Sequence, residues 1–379
     1  MSKNFSPEQE FLGKSLIKEI DKVPIPENDM ESRETEYQTL DDKAPSKDSL
    51  NSCEPFFPPH FNNTLNTTTT SQPFFAFLFN KDSLLSVFKD QKSTIILQKT
   101  LKSLPKDIID KIIDSLCGSW RTIIKNKNGN YFASDLIKEG NKSSRMKILT
   151  ELSNTICDDC VDEFGTHPIQ VLIELSTTKE EYDLILKSFK DFNKILMASM
   201  SQNGTYVVQK LIKHIPENFR SDFNSIFAKY ICVLSIDSYG VCAFLKFINY
   251  TNSENTKDEI LKLLLTNFVN ISSNKYGNYL IQTILEKWWN SKQGQKLKEI
   301  CIQKFHVLAI NHFSSYVCDV FLKFSNYEEK SYLWKCLSEN KLLSDFNLSN
   351  TGRIIINKLI NAINYSNYFI NINPQKKDI

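Results

Sequence analysis

The sequence predicts an all-α solenoid of eight repeats, and three observations lead to this fold class. After Pro73 the apolar residues recur with the period of an α-helix, and the whole chain contains only 10 glycines. Long alternating patterns of polar and apolar residues, which are typical of strands, are absent. Two segments, residues 201–209 and 274–282, share a pattern in which a polar turn and a glycine precede an amphipathic helix. Self-similarity on this length scale is the signature of repeat proteins.

The residue after the glycine of this motif marks each repeat. Eight markers follow at the implied period: Thr94, Asn130, Thr166, Thr205, Val241, Asn278, Ser315 and Gly352. Their intervals are 36, 36, 39, 36, 37, 37 and 37 residues. We therefore predict one continuous repeat domain over residues 73–379.

Positions that were not used to find the markers repeat as well. Four residues before seven of the markers stands a side chain that can cap a helix N-terminus, namely Asp90, Asn126, Asp162, Ser201, Asp237, Asn274 and Asn311. Leu348 breaks this rule in repeat 8, although Ser349 and Asn350 are adjacent. Three and seven residues after every marker the chain is apolar. Because these two positions share one helical face, each repeat is predicted to bury the same stripe.

The first 72 residues differ from the rest in composition and charge. They are rich in Glu, Ser, Asn, Thr and Pro and carry a net charge of −6, whereas residues 73–379 carry +8. We expect residues 1–72 to form a disordered acidic tail. A basic body of this kind is compatible with a nucleic-acid partner.

Cysteine usage and the N-terminus indicate the compartment. Nine cysteines occur without the spacing of a disulfide framework, and the first residues lack a signal-peptide pattern. The apolar run 74–79 is too short to span a bilayer. We expect a cytoplasmic protein without a membrane partner, a monomer, with the nucleus or nucleolus left open as its location.

Each repeat places three side chains at the start of its central helix: the marker, the next residue, and the residue four positions after the marker. The marker and the +4 residue lie one helical turn apart, with the +1 residue beside them. Amides and hydroxyls can bond the edge of a splayed base, while rings and guanidinium groups stack on its face. The polar members of these triples are the candidate RNA-binding residues: Thr94, Gln98, Asn130, Tyr131, Ser134, Thr166, His167, Gln170, Thr205, Tyr206, Gln209, Asn278, Tyr279, Gln282, Ser315, Tyr316, Asp319 and Arg353.

The segments around Thr205 and Asn278 resemble the Pumilio/FBF (PUF) repeat, and the resemblance covers residues 73–379. It implies eight three-helix repeats in a right-handed crescent, with RNA antiparallel to the chain so that the first repeat reads the 3′-most base. In that family an Asn/Gln pair reads uracil, Ser/Glu reads guanine, and Cys or Ser with Gln favours adenine. Asn278 and Gln282 around Tyr279 match the uracil reader.

The other repeats match the family pattern to different degrees. Ser315 and Asp319 resemble the guanine reader, although Asp is one methylene shorter than Glu. Three repeats resemble adenine readers with Thr in place of Cys or Ser: Thr94/Gln98, Thr166/Gln170 and Thr205/Gln209. Asn130 with Ser134 is half of a uracil reader. Val241/Leu245 in repeat 5 has no polar edge reader, and Gly352/Ile356 in repeat 8 keeps only Arg353 for stacking. We predict a GU-containing RNA site.

Three functions stay open at this point. The first is a sequence-selective mRNA-binding protein that acts on 3′ untranslated regions and recruits deadenylation or translation-repression factors, as the resemblance implies. The second is a structural RNA binder in ribosome maturation, which the irregular repeats 5 and 8 favour. The third is a protein-interaction solenoid. Catalysis is not expected, since no phosphate loop, nucleophile elbow or zincin motif occurs. No cofactor is expected, and no metal, since the pair Cys157 and Cys160 lacks a second pair of zinc ligands.

Overall fold

A computed structural model describes residues 72–372 of the chain, with side chains described to residue 364. This part contains helices and turns and no strand. Its α-helices are α1 (Gln72–Leu78), α2 (Lys81–Val87), α3 (Gln91–Leu101), α4 (Lys106–Ser115), α5 (Trp120–Ile124), α6 (Gly129–Glu139), α7 (Lys142–Leu152), α8 (Ile156–Asp159), α9 (Thr166–Leu175), α10 (Lys179–Lys187), α11 (Phe192–Met200), α12 (Gly204–His214), α13 (Ser221–Ala228), α14 (Ile231–Leu234), α15 (Gly240–Asn249), α16 (Glu254–Ser272), α17 (Gly277–Trp288), α18 (Lys292–Ile310), α19 (Ser315–Phe324), α20 (Tyr327–Glu339) and α21 (Asn350–Ile372). Short 3₁₀ helices span Ser188–Lys190, Glu217–Phe219 and Leu342–Leu348.

Eight of these helices each carry one sequence marker near the N-terminus, and we call them the central helices. They are α3, α6, α9, α12, α15, α17, α19 and α21, for repeats 1 to 8. Each central helix packs against the next along the chain, so the eight form one continuous layer. The prediction of an all-α solenoid of eight repeats is confirmed. The predicted acidic tail lies outside the described residues.

The division of each repeat into three separate helices holds in repeats 1 to 4 and changes in the second half. There, α16 joins the third helix of repeat 5 to the first helix of repeat 6, and α18 does the same for repeats 6 and 7. The buried residues of α16 include Ile260, Leu264, Phe268 and Ile271, which recur every three or four positions. One unbroken helix can therefore keep a single face packed along 19 residues. At the first junction, by contrast, Gly118 takes a φ of 78° between α4 and α5, which favours glycine.

The predicted apolar stripe forms the core of the central layer. All sixteen residues at the +3 and +7 positions are buried: Leu97, Ala133, Ile169, Val208, Phe244, Ile281, Cys318 and Ile355 at +3, and Leu101, Ile137, Ile173, Ile212, Ile248, Leu285, Leu322 and Leu359 at +7. Full burial of one such aliphatic or aromatic side chain contributes about 1.5–3 kcal/mol before entropy costs. The stripe therefore supplies a similar apolar face in every repeat, whatever the polar residues beside it.

The turn before each central helix is also as predicted. Asn274 Oδ1 accepts from the backbone N–H groups of Tyr276 and Gly277, and Asp237 Oδ1 accepts from the equivalent groups in repeat 5. The other predicted capping residues, Asp90, Asn126, Asp162, Ser201 and Asn311, make the same kind of bond. In repeat 8, where Leu348 broke the pattern, Ser349 Oγ accepts from Gly352 N at 2.9 Å.

Glycine follows this turn in six repeats because two backbones meet there. In repeat 8 this glycine is the marker Gly352 itself, so the register of that repeat lies one residue later than the sequence markers indicated. A Cβ atom on Gly204 would lie 2.4 Å from the carbonyl oxygen of Ala198, which is closer than side chains tolerate. In repeat 7 the equivalent residue is Ser314, whose Oγ donates to Leu308 O at 2.7 Å. The hydroxyl turns the close approach into a hydrogen bond, so serine can replace glycine at this position.

Two further features concern buried residues. Cys157 lies in α8 and Cys160 caps it, and both are buried. Trp289 packs on Phe321 and Phe324 of repeat 7, so it lies between repeats 6 and 7. Among the helices between residues 72 and 372, none combines the length and apolar character needed to cross a bilayer.

Candidate nucleic-acid interface

The residues that follow the markers place rings on the outside of the central layer. Tyr131, Tyr279 and Tyr316 are 59%, 46% and 46% exposed. His167 is exposed as well, and its ring centroid lies 6.0 Å from that of Tyr131 in the neighbouring repeat. Tyr206 is half-buried. These rings lie off the buried stripe, and repeats 2 and 3 place theirs side by side, as stacking on successive bases requires.

The polar markers themselves are more enclosed than the sequence indicated. Asn278 is only 1% exposed, and its Nδ2 donates to the carbonyl oxygens of Asn274 and Lys275 at 2.9 and 3.0 Å. Asn130 makes the equivalent pair of bonds in repeat 2. Each asparagine thus uses both amide hydrogens to close the turn in front of its helix. Its free rotation is lost, and its Oδ1 has a fixed direction.

This fixed oxygen orients the glutamine of repeat 6. Gln282 is half-buried, and its Nε2 donates to Asn278 Oδ1 at 2.9 Å. Because Asn278 has no amide hydrogen left, the glutamine must turn its nitrogen toward the marker. The second N–H of Gln282 is then free to donate and its Oε1 is free to accept. This donor and acceptor can form hydrogen bonds with the edge of a base.

Threonine achieves the same orientation by a different route in repeats 3 and 4. Thr205 Oγ1 donates to Tyr239 O of repeat 5 at 3.1 Å, so its lone pairs accept from Gln209 Nε2 at 3.3 Å. In repeat 3, Thr166 Oγ1 donates to the Asn203 carbonyl and accepts from Gln170. The two threonines therefore tie adjacent repeats together and fix the direction of their glutamines.

Repeat 1 has the same residue types but different contacts. Thr94 Oγ1 donates to the carbonyl oxygens of Val87 and Asp90 within its own repeat. Gln98 Nε2 instead donates to Asp135 Oδ2 of repeat 2 at 3.0 Å. Since an ionised carboxylate only accepts, this contact also directs the nitrogen of Gln98. Beside it lies a cavity of about 210 Å³, lined by Gln91, Thr94, Ile95, Gln98, Lys127, Asn128, Tyr131 and Phe164.

In repeat 7 the predicted guanine reader is paired with a cation. Ser315 is 7% exposed, and its Oγ donates to His312 O at 2.7 Å. Asp319 Oδ1 lies 2.7 Å from the ammonium nitrogen of Lys358, which belongs to the central helix of repeat 8. Both side chains stay accessible, at 36% and 50% exposure. The acid is therefore at the surface, and its partner comes from the following repeat.

Three repeats offer fewer polar groups. Ser134 is 2% exposed and its Oγ donates to Asn130 O, so repeat 2 presents mainly Tyr131. The marker of repeat 5 is a valine, Val241, which is fully buried, so repeat 5 has no polar group at this position. In repeat 8, Arg353 is exposed and bonded to Asn350.

Sequence reasoning missed the residues that orient the readers from a neighbouring repeat. These are Asp135, Lys358 and the backbone carbonyls of Asn203 and Tyr239. Periodicity aligns equivalent positions within repeats, but it does not reveal which side chains of adjacent repeats meet. Asp135 and Lys358 each stand six residues after the glycine of their turn, and this shared offset was the one available signal.

Comparison with known proteins identifies the type of repeat. A model of the NOP9-like PUF repeat domain matches residues 78–346. Pumilio homolog 12 of Arabidopsis thaliana is 25% identical over 203 residues, which cover 52% of this chain and 33% of that protein. The suppressor protein MPT5 of Saccharomyces cerevisiae is 22% identical over 277 residues, covering 69% of this chain and 30% of that protein. The chain thus spans about a third of the length of these relatives.

Solved structures share the fold. The Puf4 RNA-binding domain, bound to an HO endonuclease 3′ UTR recognition sequence, superposes with a TM-score of 0.65 at 19% identity, covering 74% of this chain and 88% of that one. The RNA-binding domain of yeast Puf5p, bound to SMX2 RNA, gives a TM-score of 0.66 at 18% identity, covering 76% and 85%. At these identities the likeness establishes the solenoid architecture.

Proposed function

Because the chain belongs to the NOP9-like PUF repeat family, we propose that it binds single-stranded RNA along its central helices, with one base for each reading repeat. RNA runs antiparallel to the chain in this proposal, so that repeat 8 meets the 5′ base and repeat 1 the 3′ base. Bases stack on the exposed rings, and the oriented +4 side chains bond their edges.

The orientation of four glutamines is the observation that carries the proposal. Gln98, Gln170, Gln209 and Gln282 all donate from Nε2 to an oxygen that has no hydrogen free to donate in return. A side chain that only needs solvation gains nothing from such an arrangement. A reader gains specificity, since its remaining donor and acceptor are held in place before the base arrives.

The readers together specify a probe sequence. Repeat 6 has the uracil pattern, repeat 7 resembles the guanine reader, and repeats 1, 3 and 4 resemble adenine readers. With uracil opposite repeats 2 and 8 and adenine opposite repeat 5, the RNA is 5′-UGUAAAUA-3′. We call this RNA the reference RNA. Guanine at position 2 faces repeat 7, and uracil at position 3 faces repeat 6.

We further propose that the biological targets are mRNA 3′ untranslated regions, and that binding represses translation or shortens mRNA lifetime through recruited effector proteins. The protein acts in the cytoplasm as a monomer in this scheme. Support comes from the likeness to the RNA-bound Puf4 and Puf5p domains and from readers in at least five repeats. An acidic N-terminal tail over residues 1–72, outside the described part, belongs to the same proposal.

Low-specificity binding of structural RNA in ribosome biogenesis is the second candidate. Its support is the match to the NOP9-like model and the loss of polar readers in repeats 5 and 8. The two candidates differ in their selectivity for RNA sequence, because a structural RNA binder binds many RNA sequences with similar affinity.

Selection from a random RNA pool with the full chain tests the proposal. We expect an enriched element of about eight bases, one per repeat, with GU at the positions that repeats 7 and 6 read. Binding without an enriched element would favour the ribosome-biogenesis candidate. Failure to bind any RNA would contradict both candidates and leave a protein-interaction solenoid.

A further inference from the structure

Lys358 lies on α21, and its side chain is exposed. Ser349 Oγ accepts from Gly352 N, as the caps of the other repeats accept from the glycines of their turns. Lys358 therefore stands six residues after the glycine of its turn, as Asp135 does in repeat 2. Asp135 accepts from Gln98, the +4 residue of repeat 1, so a side chain at this position meets the +4 residue of the preceding repeat, and in repeat 8 this side chain is a cation.

The cation meets the predicted base reader of the preceding repeat. Lys358 Nζ lies 2.7 Å from Asp319 Oδ1, and half of the lysine side chain remains accessible. Exposed ion pairs of this kind add little to stability, because both partners are well solvated when apart. A contribution to folding is therefore a weak explanation for a lysine at this position.

The pair has the chemistry of a guanine edge. Guanine presents an acceptor, O6, beside two donors, the N1–H and the N2 amine. A carboxylate accepts from the two donors, and an ammonium group donates to O6. Adenine would bring its N6 amine against the ammonium group, so the pair discriminates between the two purines.

We propose that Lys358 is a specificity-determining residue, which donates to O6 of the guanine whose N1 and N2 groups bond to Asp319. The guanine reader is then shared between repeats 7 and 8. This inference rests on the proposed function, since it concerns RNA bound on the central helices. It also explains how the shorter aspartate can serve where the family has glutamate: the lysine supplies the third bond to the base edge.

Base analogues at position 2 of the reference RNA separate the two contacts. 6-Thioguanine keeps the N1–H and N2 amine but replaces O6 with sulfur, a weak acceptor, so it tests the lysine. Hypoxanthine lacks the N2 amine and keeps O6, so it tests the aspartate. Dissociation constants are measured with the full chain for guanine and for both analogues, in wild type and in variants.

For wild type we expect thioguanine to weaken binding about fivefold, since a charge-assisted bond is lost in part. In Lys358→Met the two RNAs should bind within about twofold of each other, because the donor to O6 is gone. Hypoxanthine should still weaken binding of Lys358→Met as it does wild type. Lys335→Met is the matched control, since it removes one cation that pairs with Glu339 on α20, and it should keep the thioguanine effect.

The inference is overturned if Lys358→Met retains the full thioguanine effect. Absence of binding to the reference RNA by wild type would instead contradict the proposed function, so the two failures are distinguishable. Thermal unfolding of each variant is followed in parallel. Lys358→Arg, which keeps a cationic donor, should preserve the thioguanine effect, and Lys358→Ala, which also lacks a donor, replaces Lys358→Met if that variant does not fold.

Discussion

Repeats 5 and 6 have the same scaffold and differ in their readers. Asp237 and Asn274 cap the two central helices in the same way, and glycine follows each turn. At the marker, however, repeat 5 has a buried Val241, whereas repeat 6 has Asn278. The fold therefore depends on the turn, the glycine and the apolar stripe, and base reading depends on residues beside them that can change without disturbing the helix.

The largest expected effect is a loss of stability when the glycine of the turn is replaced in repeat 5 or repeat 6. A Cβ on Gly277 would lie 2.4 Å from Ile271 O, and one on Gly240 would lie 2.9 Å from Leu234 O. We expect alanine at either position to lower the free energy of unfolding by about 2–3 kcal/mol, with the larger loss at Gly277. Denaturant unfolding measures this.

Glu286→Ala, at an exposed position of α17, is the control for these glycine variants, and it should change stability by less than about 0.5 kcal/mol. If Gly277→Ala were as stable as wild type, the turn would not be a shared structural requirement.

The next largest effect is expected for RNA binding, when the +4 residue is replaced in repeat 6 and in repeat 5. Gln282→Ala should weaken binding of the reference RNA by about 1–3 kcal/mol, because one base loses its edge contact. Leu245→Ala, at the equivalent position of repeat 5, should have a small effect, since an apolar side chain makes no edge bond. Fluorescence anisotropy with labelled RNA measures both. Equal losses in the two variants would show that the contacts are not base-specific.

A further variant tests whether repeat 5 can gain the base preference of repeat 6. The double substitution Val241→Asn and Leu245→Gln copies the repeat 6 pair into repeat 5. If the copied asparagine closes the turn as Asn278 does, the variant should prefer uracil at position 4 by roughly 1 kcal/mol, the lower end for a base contact. Competition binding with four RNAs that differ at position 4 measures the preference. An unchanged preference would mean that repeat 5 does not approach the RNA.

The smallest expected effect concerns the caps. Burial raises the pKa of the Asp237 carboxyl above its ordinary value of 3.8, whereas Asn274 is neutral in the same role. Asp237→Asn keeps the capping oxygen and removes a partly buried charge, so it should raise the free energy of unfolding at pH 7 by about 0.5 kcal/mol.

The pH dependence of this difference has a definite sign. Since the folded-state pKa of Asp237 exceeds the unfolded one, wild type gains stability as the pH falls through the folded value toward 3.8. The advantage of Asp237→Asn should therefore shrink on acidification and vanish below pH 3.8. Unfolding curves at several pH values measure it, and an advantage that grows at low pH would contradict the assignment.

The scaffold could be predicted from the sequence because it depends on local rules. Capping side chains at Asp237 and Asn274, apolar residues at fixed helical offsets, and exposed rings such as Tyr279 all recur within one repeat. The fused helices α16 and α18 were not anticipated, since a break between two helices and a continuous helix can bury the same residues. The contacts of Gln98 with Asp135 and of Asp319 with Lys358 cross repeat boundaries, so no pattern within a repeat contains them.

The most direct test of the account is base preference at the positions of the reference RNA that face repeats 5 and 6. Seven RNAs, the reference RNA and the six that carry another base at position 3 or at position 4, are titrated against the full chain. We expect the RNA with uracil at position 3 to bind at least about fivefold more tightly than those with other bases there, and the four RNAs that differ at position 4 to bind within about threefold of one another. Equal preference at both positions, or a stronger one at position 4, would contradict the assignment of readers to the central helices.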